Sequence, residues 1–180
     1  SAPDPQPTPG AGLAGFFWLW TPLNFEDRSV FFHVNADTDG KPWNTRAVIL
    51  PDGAGAEGGT HSDFPRMEEV TLRQGTRHAE RGTLRVPVEG GEAEVKLEPI
   101  GTFLMRGIGY GGEWRHGALK GELAVGREDI DLAKVDMAAP ENWHIQAISK
   151  AVLTQPGEPE RTGLGVFEQL IAGPYKPYGL

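Results

Sequence analysis

The sequence predicts an all-β protein, an antiparallel barrel of about eight to ten strands with at most one short helix. The 180 residues include 25 glycines and 15 prolines, and 38% are hydrophobic, a composition typical of turn-rich β proteins. Short apolar runs recur at hairpin spacing along the chain and are separated by turn residues. A sandwich would fit the same pattern, but a closed barrel removes the edge strands that invite aggregation.

The chain is expected to divide into a short terminal segment and one domain. Residues 1–12 are rich in proline and form either a linker to an upstream part or a disordered tail. Residues 13–180 then make up the barrel domain. After the first aromatic strand, the expected strands span residues 28–35, 43–50, 66–73, 77–88, 93–99, 102–110, 114–125, 143–153 and 162–172, with a short helical candidate at 128–135.

Residues 14–34 are the most aromatic part of the chain. They hold two of the five tryptophans and five of the eight phenylalanines. The apolar runs are broken by Thr-Pro and Glu-Asp, which predicts two strands and a bend rather than one helix. Such a concentration of aromatic side chains on neighbouring strands forms either a thick core or the wall of an apolar cavity.

Charge and composition exclude several classes of function. A net charge of −8 argues against a nucleic-acid partner, because phosphate contacts need clustered lysine and arginine. The chain has no cysteine, and therefore no disulfide and no thiolate nucleophile. No apolar run reaches the length of a membrane span, and no phosphate loop or dinucleotide fingerprint implies a cofactor. The expected compartment is the cytoplasm, with the periplasm and secretion left open.

A glycine-rich stretch at residues 105–117 is the first place that could carry chemistry. Because its glycines have no side chains, the backbone here can pack closely against another strand, form bulges or contact a ligand. An inward-facing Arg106 would need a carboxylate partner, for which Glu122 and Glu168 are candidates; an outward Arg–Tyr pair on the surface is the alternative. The polar and aromatic candidates in this stretch are Arg106, Tyr110, Trp114 and His116.

Glu168 is the second candidate. Strand alternation places this carboxylate on an apolar face with Leu164, Val166 and Leu170. A carboxyl group in that setting is either ion-paired or raised in pKa, and a raised pKa suits a general acid. The pattern favours a structural salt bridge over catalysis.

The histidines allow a metal site but do not predict one. His61 and Asp63 form a His-x-Asp pair, and the distant His144 could add a nitrogen ligand, yet this spacing is not diagnostic. Structural histidines are the commoner case, so no metal is expected. His33 lies on an aromatic strand, and His78 is expected to face solvent.

Four stretches of the chain carry a family resemblance. They are Phe17-Trp-Leu-Trp-Thr-Pro-Leu-Asn-Phe-Glu-Asp-Arg-Ser, Gly107-Ile-Gly-Tyr-Gly-Gly-Glu-Trp-Arg-His-Gly, Asn142-Trp-His-Ile-Gln and Arg161-Thr-Gly-Leu-Gly-Val-Phe-Glu-Gln-Leu-Ile-Ala-Gly-Pro. Together they are similar to the C-terminal half of an uncharacterised bacterial family with a lipocalin-like fold, related to carotenoid 1,2-hydratase and hydroxyneurosporene synthase. The resemblance implies a lipocalin-like barrel, one of two in the relatives, and an interdomain linker at the proline-rich start. Family members often carry a histidine soon after a Gly-Tyr pair, where this chain has Gly111 and Gly112.

The leading functional expectation is binding of an apolar small molecule, such as an isoprenoid, polyketide or steroid-like compound, in a barrel cavity. Whether the protein is an enzyme stays open. Related folds host water addition to isoprenoid double bonds, ring closure and pericyclic cyclisation, so an enzyme would be a cofactor-independent lyase or hydratase, or an isomerase or cyclase. The alternative is a non-catalytic barrel that docks a partner, either a second lipocalin-like domain or a second copy. The expected catalytic residues are Glu168, His116, Tyr110 and Arg106, and the expected ligand-binding residues are Trp18, Trp20, Phe32, His33, Trp43, Trp114 and His144.

Overall fold

A computed structural model describes residues 15–105 and 119–180 of the chain. They form one nine-stranded antiparallel sheet, curled into a half-barrel, which confirms the predicted all-β class. The order in the sheet is β4-β3-β2-β1-β9-β8-β7-β6-β5. The strands are β1 (Phe16–Asn24), β2 (Arg28–Ala36), β3 (Pro42–Pro51), β4 (Thr60–Ser62), β5 (Arg66–Leu72), β6 (Ala79–Val88), β7 (Gly91–Leu104), β8 (His144–Thr154) and β9 (Arg161–Ala172).

Two runs of neighbouring strands meet at the centre of this sheet. Strands β1 to β4 pair in chain order, and so do β5 to β9. The pairing of β1 with β9 joins the two runs, with Trp20 opposite Glu168. Side chains nearly 150 positions apart in the sequence therefore become neighbours on one face.

The turn between β2 and β3 follows from its sequence. The carboxylate of Asp37 accepts hydrogen bonds from the backbone N–H groups of Asp39 (3.0 Å) and Lys41 (2.9 Å). Gly40 has a φ of 84°, a left-handed conformation that glycine adopts without steric cost. The Asp39-Gly40 dipeptide, of a type common in hairpin turns, therefore lies in the turn between these strands.

The hydrophobic core lies on the inner face of the curled sheet. Alternate residues of each long strand point inward, and an added Cβ at Gly82 of β6 would meet the ring of Phe167 on β9 at 3.3 Å, which shows that side chains from separate strands meet across the interior. The largest fully buried side chains are Phe32, Phe167, Leu19, Leu23, Leu84, Ile145, Leu153 and Ile171. Burial of these side chains is the main source of stability.

The middle of the chain differs from the prediction. The expected strands 93–99 and 102–110 are, as far as residue 104, one strand, β7, which runs through a register shift between Pro99 and Gly101. Residues 119–125, the described part of the expected strand 114–125, form no strand; Gly121 there has a φ of 97°, which a strand does not use. The helical candidate at 128–135 is reduced to a 3-10 turn, Leu132–Lys134, whose first turn is capped by the Asp131 side chain.

His78 corrects a second expectation, because it is buried rather than solvent-facing. Only 2% of its surface is exposed, and its Nε2 donates to the backbone carbonyl of Asn142 at 2.8 Å. The preceding residue, Arg77, donates to the carbonyls of Ile171 and Gly173. His78 thus joins the start of β6 to the turn before β8, and Arg77 joins it to the end of β9, so the polar sequence around His78 makes tertiary contacts.

Candidate functional site

Six adjacent strands each place one side chain in a row across the outer face of the sheet, the face opposite the core. The register pairs Arg46 with His33, His33 with Trp20, Trp20 with Glu168, Glu168 with Gln146, and Gln146 with Phe103. We call this set the outer row. Its members come from sequence positions as far apart as 20 and 168, and only the β1–β9 pairing makes them neighbours.

Glu168 is the centre of a buried polar cluster in this row. It is only 9% exposed, although it lies on the outer face. The Nε2–H of His144 donates to its Oε1 at 2.7 Å, and the side-chain amide of Gln146 donates to its Oε2 at 3.1 Å. Both carboxylate oxygens therefore have a hydrogen-bond donor.

These contacts decide the charge of Glu168. Burial acts to raise the pKa of its carboxyl group, but the hydrogen bonds from His144, Gln146 and Trp18, with the charge of His144, outweigh burial and hold the pKa below its usual value. The group is therefore ionised at neutral pH and accepts hydrogen bonds. A general acid would need the opposite shift, so the catalytic role of Glu168 stays a prediction.

Nδ1, the second ring nitrogen of His144, is buried and makes no hydrogen bond within the described residues. A buried polar atom without a hydrogen-bond partner costs free energy. The hydrogen bond from Nε2 to Glu168 has to offset this cost to keep the His144 ring in place.

A second set of contacts extends the cluster toward β3. The rings of Trp18 and His33 stack with centroids 6.2 Å apart and planes 19° apart. His33 Nε2 donates to the side-chain carbonyl of Asn44 at 3.1 Å, and Asn44 in turn donates to Asn35 at 3.2 Å. The polar groups of the outer face are thus linked from β9 across β1 and β2 to β3.

Apolar side chains surround the cluster on the same face. Phe103 in the outer row is 63% exposed, and Phe31, two residues from His33 on β2, is 40% exposed. Ile148 of β8 and Leu164 of β9 are also more than half exposed. The outer face therefore exposes four large apolar side chains around the polar cluster.

The structure divides the residues that the sequence proposed for one site. Trp18, Trp20, His33, His144 and Glu168 all lie on the outer face. The remaining two described candidates lie elsewhere. Phe32 points into the core from the other face of β2, and Trp43, at the start of β3, is 65% exposed. Arg106, Tyr110, Trp114 and His116 lie outside the described residues.

A pocket of about 300 Å³ opens on the inner side of the half-barrel, between β2 and β5. We call it the seam pocket. Phe32 and Val34 of β2 line one wall, and Met67 of β5 lines the opposite wall. The other lining residues are Phe17, Ala36, Gly40, Pro42, Pro65, Arg66, Glu68, Tyr175, Pro177 and Tyr178.

The C-terminal segment closes one end of this pocket with an aromatic cluster. The ring of Tyr175 stacks on Phe17 with centroids 4.0 Å apart and planes 5° apart. Tyr178 meets Phe17 edge-on at 5.7 Å and Tyr175 at 4.9 Å. Hydrogen bonds from the backbone N–H of Tyr175 to Leu180 and from that of Lys176 to Thr38 hold the segment in place.

The chain belongs to DUF8625, a family of unknown function whose model matches residues 2–180. No curated protein and no solved structure matches this DUF8625 member.

Two of the residues that line the seam pocket were missed by the sequence analysis of this DUF8625 member. Tyr175 and Tyr178 follow the last strand in the motif Pro174-Tyr-Lys-Pro-Tyr-Gly-Leu. Two tyrosines alternating with prolines beyond a final strand are a usable signal of a segment that packs back on the domain. Gln146 and Asn44 were missed for another reason, since only strand pairing shows their neighbours.

Neither a metal centre nor a membrane helix is found in the parts of the chain that the structure describes. No three histidine, cysteine, aspartate or glutamate side chains within residues 15–105 and 119–180 are grouped so as to hold a metal ion. His61 is exposed on the edge strand β4. Within the same ranges, none of the helical turns has the length and hydropathy to cross a bilayer.

Proposed function

We propose that this protein binds an apolar small molecule in the seam pocket. The observation that carries the proposal is an inner-face cavity of about 300 Å³ walled mainly by aromatic and aliphatic side chains. Ligand sites in proteins are typically concave, largely apolar and about 300 to 1,000 Å³ in volume. The seam pocket lies at the lower end of that range, which favours a ligand of one or two fused rings over a long isoprenoid chain.

The walls suit such a ligand energetically. Burial of apolar surface contributes about 25 cal/mol per Å², and the cost of association offsets part of this gain. We therefore expect a dissociation constant in the micromolar range. The stacked rings of Phe17 and Tyr175 form a rigid surface that loses little side-chain entropy when a ligand binds.

Phenylnaphthylamine, a neutral dye that fluoresces in apolar surroundings, tests the proposal. Saturable binding to the full chain is expected. Val34→Phe fills the pocket from β2 and should weaken binding at least tenfold. The matched control is Val166→Phe on the outer face of β9, which should leave binding unchanged.

Circular dichroism establishes that both variants are folded. The proposal is wrong if the dye shows no saturable binding, or if folded Val34→Phe protein binds it as tightly as the wild type. Stronger loss in Val166→Phe than in Val34→Phe would instead move the site to the outer face.

The exposed apolar side chains of the outer face favour a second candidate function, docking of a second copy of this chain. Two charged groups of this face have partners within one chain, Arg46 with Asp63 at 2.9 Å and Glu168 with His144. Two copies that meet through Phe103 and Ile148 would bury these apolar side chains and leave both pairs intact.

Sedimentation velocity over a range of concentrations tests this candidate. A dimer is expected for the wild type, and the double variant Phe103→Lys with Ile148→Lys should be a monomer. Val34→Phe, on the opposite face, is the control and should remain a dimer. A wild-type chain that stays monomeric at every concentration overturns the docking candidate.

A further inference from the structure

Two tyrosine side chains lie at the closed end of the seam pocket. Tyr175 and Tyr178 both line the pocket, and neither hydroxyl makes a hydrogen bond within the described residues. Tyr175 is 6% exposed. Its hydroxyl oxygen lies 3.6 Å from the position of a Cβ built on Gly40, itself a lining residue, so the oxygen lies at the pocket wall.

Both hydroxyls act as donors. Burial raises the pKa of Tyr175 to about 12, with a contribution from the negative charge of Asp37. Burial likewise raises the pKa of Tyr178, and the neighbouring Tyr175 adds to the shift. Each hydroxyl therefore keeps its proton at neutral pH and can donate it to an acceptor in the pocket.

The charged residues at the rim do not offer a site for an anion. Arg66 is already paired, through Nε with Glu68 at 2.9 Å and through a terminal nitrogen with Glu92 at 2.7 Å. A ligand carboxylate would enter a pocket with no free cation among the described lining residues and would lie close to Glu68. Burial of such an unpaired charge is costly.

We propose that the ligand of the seam pocket is an apolar ring compound with a neutral hydrogen-bond acceptor, such as a ketone, aldehyde or ester carbonyl, which accepts from the hydroxyls of Tyr175 and Tyr178. The rings of Phe17 and Phe32 contact the apolar body, and the two hydroxyls orient the carbonyl toward the C-terminal segment. This inference rests on the proposed function and adds the chemical class of the ligand and two residues that select it.

Two naphthalenes of nearly equal shape test the inference. Acetylnaphthalene carries a carbonyl group and ethylnaphthalene does not, and each is titrated against bound phenylnaphthylamine. The wild-type chain should bind the ketone roughly three- to tenfold more tightly, the ratio that one or two neutral hydrogen bonds supply. Tyr175→Phe and Tyr178→Phe should each lower affinity for the ketone and leave affinity for the hydrocarbon unchanged.

A spectroscopic measurement separates a direct hydrogen bond from a change in pocket shape. Prodan is a naphthalene ketone whose emission shifts to the red when its carbonyl accepts a hydrogen bond. Its emission in the wild-type pocket should shift to the blue in the double variant Tyr175→Phe with Tyr178→Phe. Thermal denaturation establishes that the variants are folded, since phenylalanine keeps the ring contacts.

The outcomes distinguish the inference from the function on which it rests. If both naphthalenes displace the dye with equal affinity, or if the preference for the ketone survives in the double variant, the inference is overturned and apolar binding stands. If neither compound nor the dye binds the wild-type chain, the proposed function itself fails. A preference for the ketone that both tyrosine variants abolish supports the inference.

Discussion

The imidazole of His144 and the carboxylate of Glu168 form a buried pair on the outer face of the sheet, with 2.7 Å between Nε2 and Oε1. The two residues lie on neighbouring strands, β8 and β9, and Glu168 is two residues along β9 from Leu170, the residue opposite His144. Gln146 donates to the other carboxylate oxygen, so that Glu168 is held from two sides. The Glu168 carboxylate therefore stays charged, and a substitution at any of these three positions removes a hydrogen bond from the cluster.

Glu168→Gln should destabilise the protein by about 3 kcal/mol, because removal of one partner from a buried pair leaves the other polar group uncompensated. The matched control is Asp129→Asn, which breaks the exposed pair of Asp129 and Arg127 and should change the free energy of unfolding by less than about 1 kcal/mol. Urea denaturation at neutral pH measures both. A loss below 1 kcal/mol for Glu168→Gln would show that the pair contributes no net stability.

The same carboxylate should make stability fall at acid pH. Its pKa is lower in the folded chain than its ordinary value, so its contribution is fully present above the unfolded pKa of about 4.3 and is lost as the pH falls through the folded pKa. Urea denaturation between pH 3 and pH 6 should show this slope. Glu168→Gln should have a flatter profile over that range than Asp129→Asn.

His78 should add a second pH dependence at milder acidity. Burial lowers its pKa, and the charge of Arg73 lowers it further, against the hydrogen bond to Asn142, which acts to raise it. Below about pH 6.5 the unfolded chain takes up a proton that the folded His78 resists, so stability should decrease as the pH falls from that value. Thermal denaturation at pH 7.5, 6.5 and 5.5 measures the slope.

The matched variants for this effect are His78→Gln, which retains a donor for Asn142, and His61→Gln on the exposed edge strand. His78→Gln should reduce the slope, and His61→Gln should preserve it. An unchanged slope in folded His78→Gln protein would assign the pH dependence to other groups.

Gly165→Ala should be strongly destabilising, by about 2 kcal/mol or more, because the new methyl group would overlap the β1 backbone. A Cβ at that position would meet the carbonyl oxygen of Pro22 and the Cα of Leu23, the latter at 2.7 Å. Gly101→Ala is the control, since nothing lies within 4 Å of its Cβ position, and it should be neutral or slightly stabilising. Equal melting temperatures of the two variants would contradict the close approach of β9 to β1.

Gln169→Leu should lower the free energy of unfolding by about 1 to 3 kcal/mol, the cost of leaving a buried donor unpaired. Gln169 is fully buried, and its side-chain oxygen accepts from the backbone N–H of Ala79 at 2.6 Å. Gln74→Leu, at an exposed turn, is the matched control and should change stability by less than about 0.5 kcal/mol. Amide hydrogen exchange at Ala79 should speed up in Gln169→Leu protein; slow exchange there would contradict the contact.

Local alternation was enough to predict most strands and the grouping of side chains within each. The alternation in β9 correctly placed Glu168 on one face with Leu164, Val166 and Leu170, and Gln169 on the other. The same pattern could not predict which face carries the core, because both faces of β9 are largely apolar. The cavity site expected from the sequence therefore combined Phe32 from the inner face with Trp18 and Glu168 from the outer face.

The burial of His78 shows a different limit. Its neighbours in sequence are charged and polar, and a local pattern of that kind predicts an exposed turn. Its hydrogen-bond partner, Asn142, lies 64 positions away. A contact over such a separation leaves no periodic trace in either segment.

The sequence alone determined that this chain folds into antiparallel strands with apolar alternate positions, since strand formation depends on local periodicity and on turn residues such as those at 37–40. The tertiary structure decided the rest. The pairing of β1 with β9 created the outer row, and the curl of the sheet with the return of Tyr175 and Tyr178 created the seam pocket. Both depend on contacts between segments far apart in the chain, and the energy of those contacts comes from shape and burial that no short stretch of sequence contains.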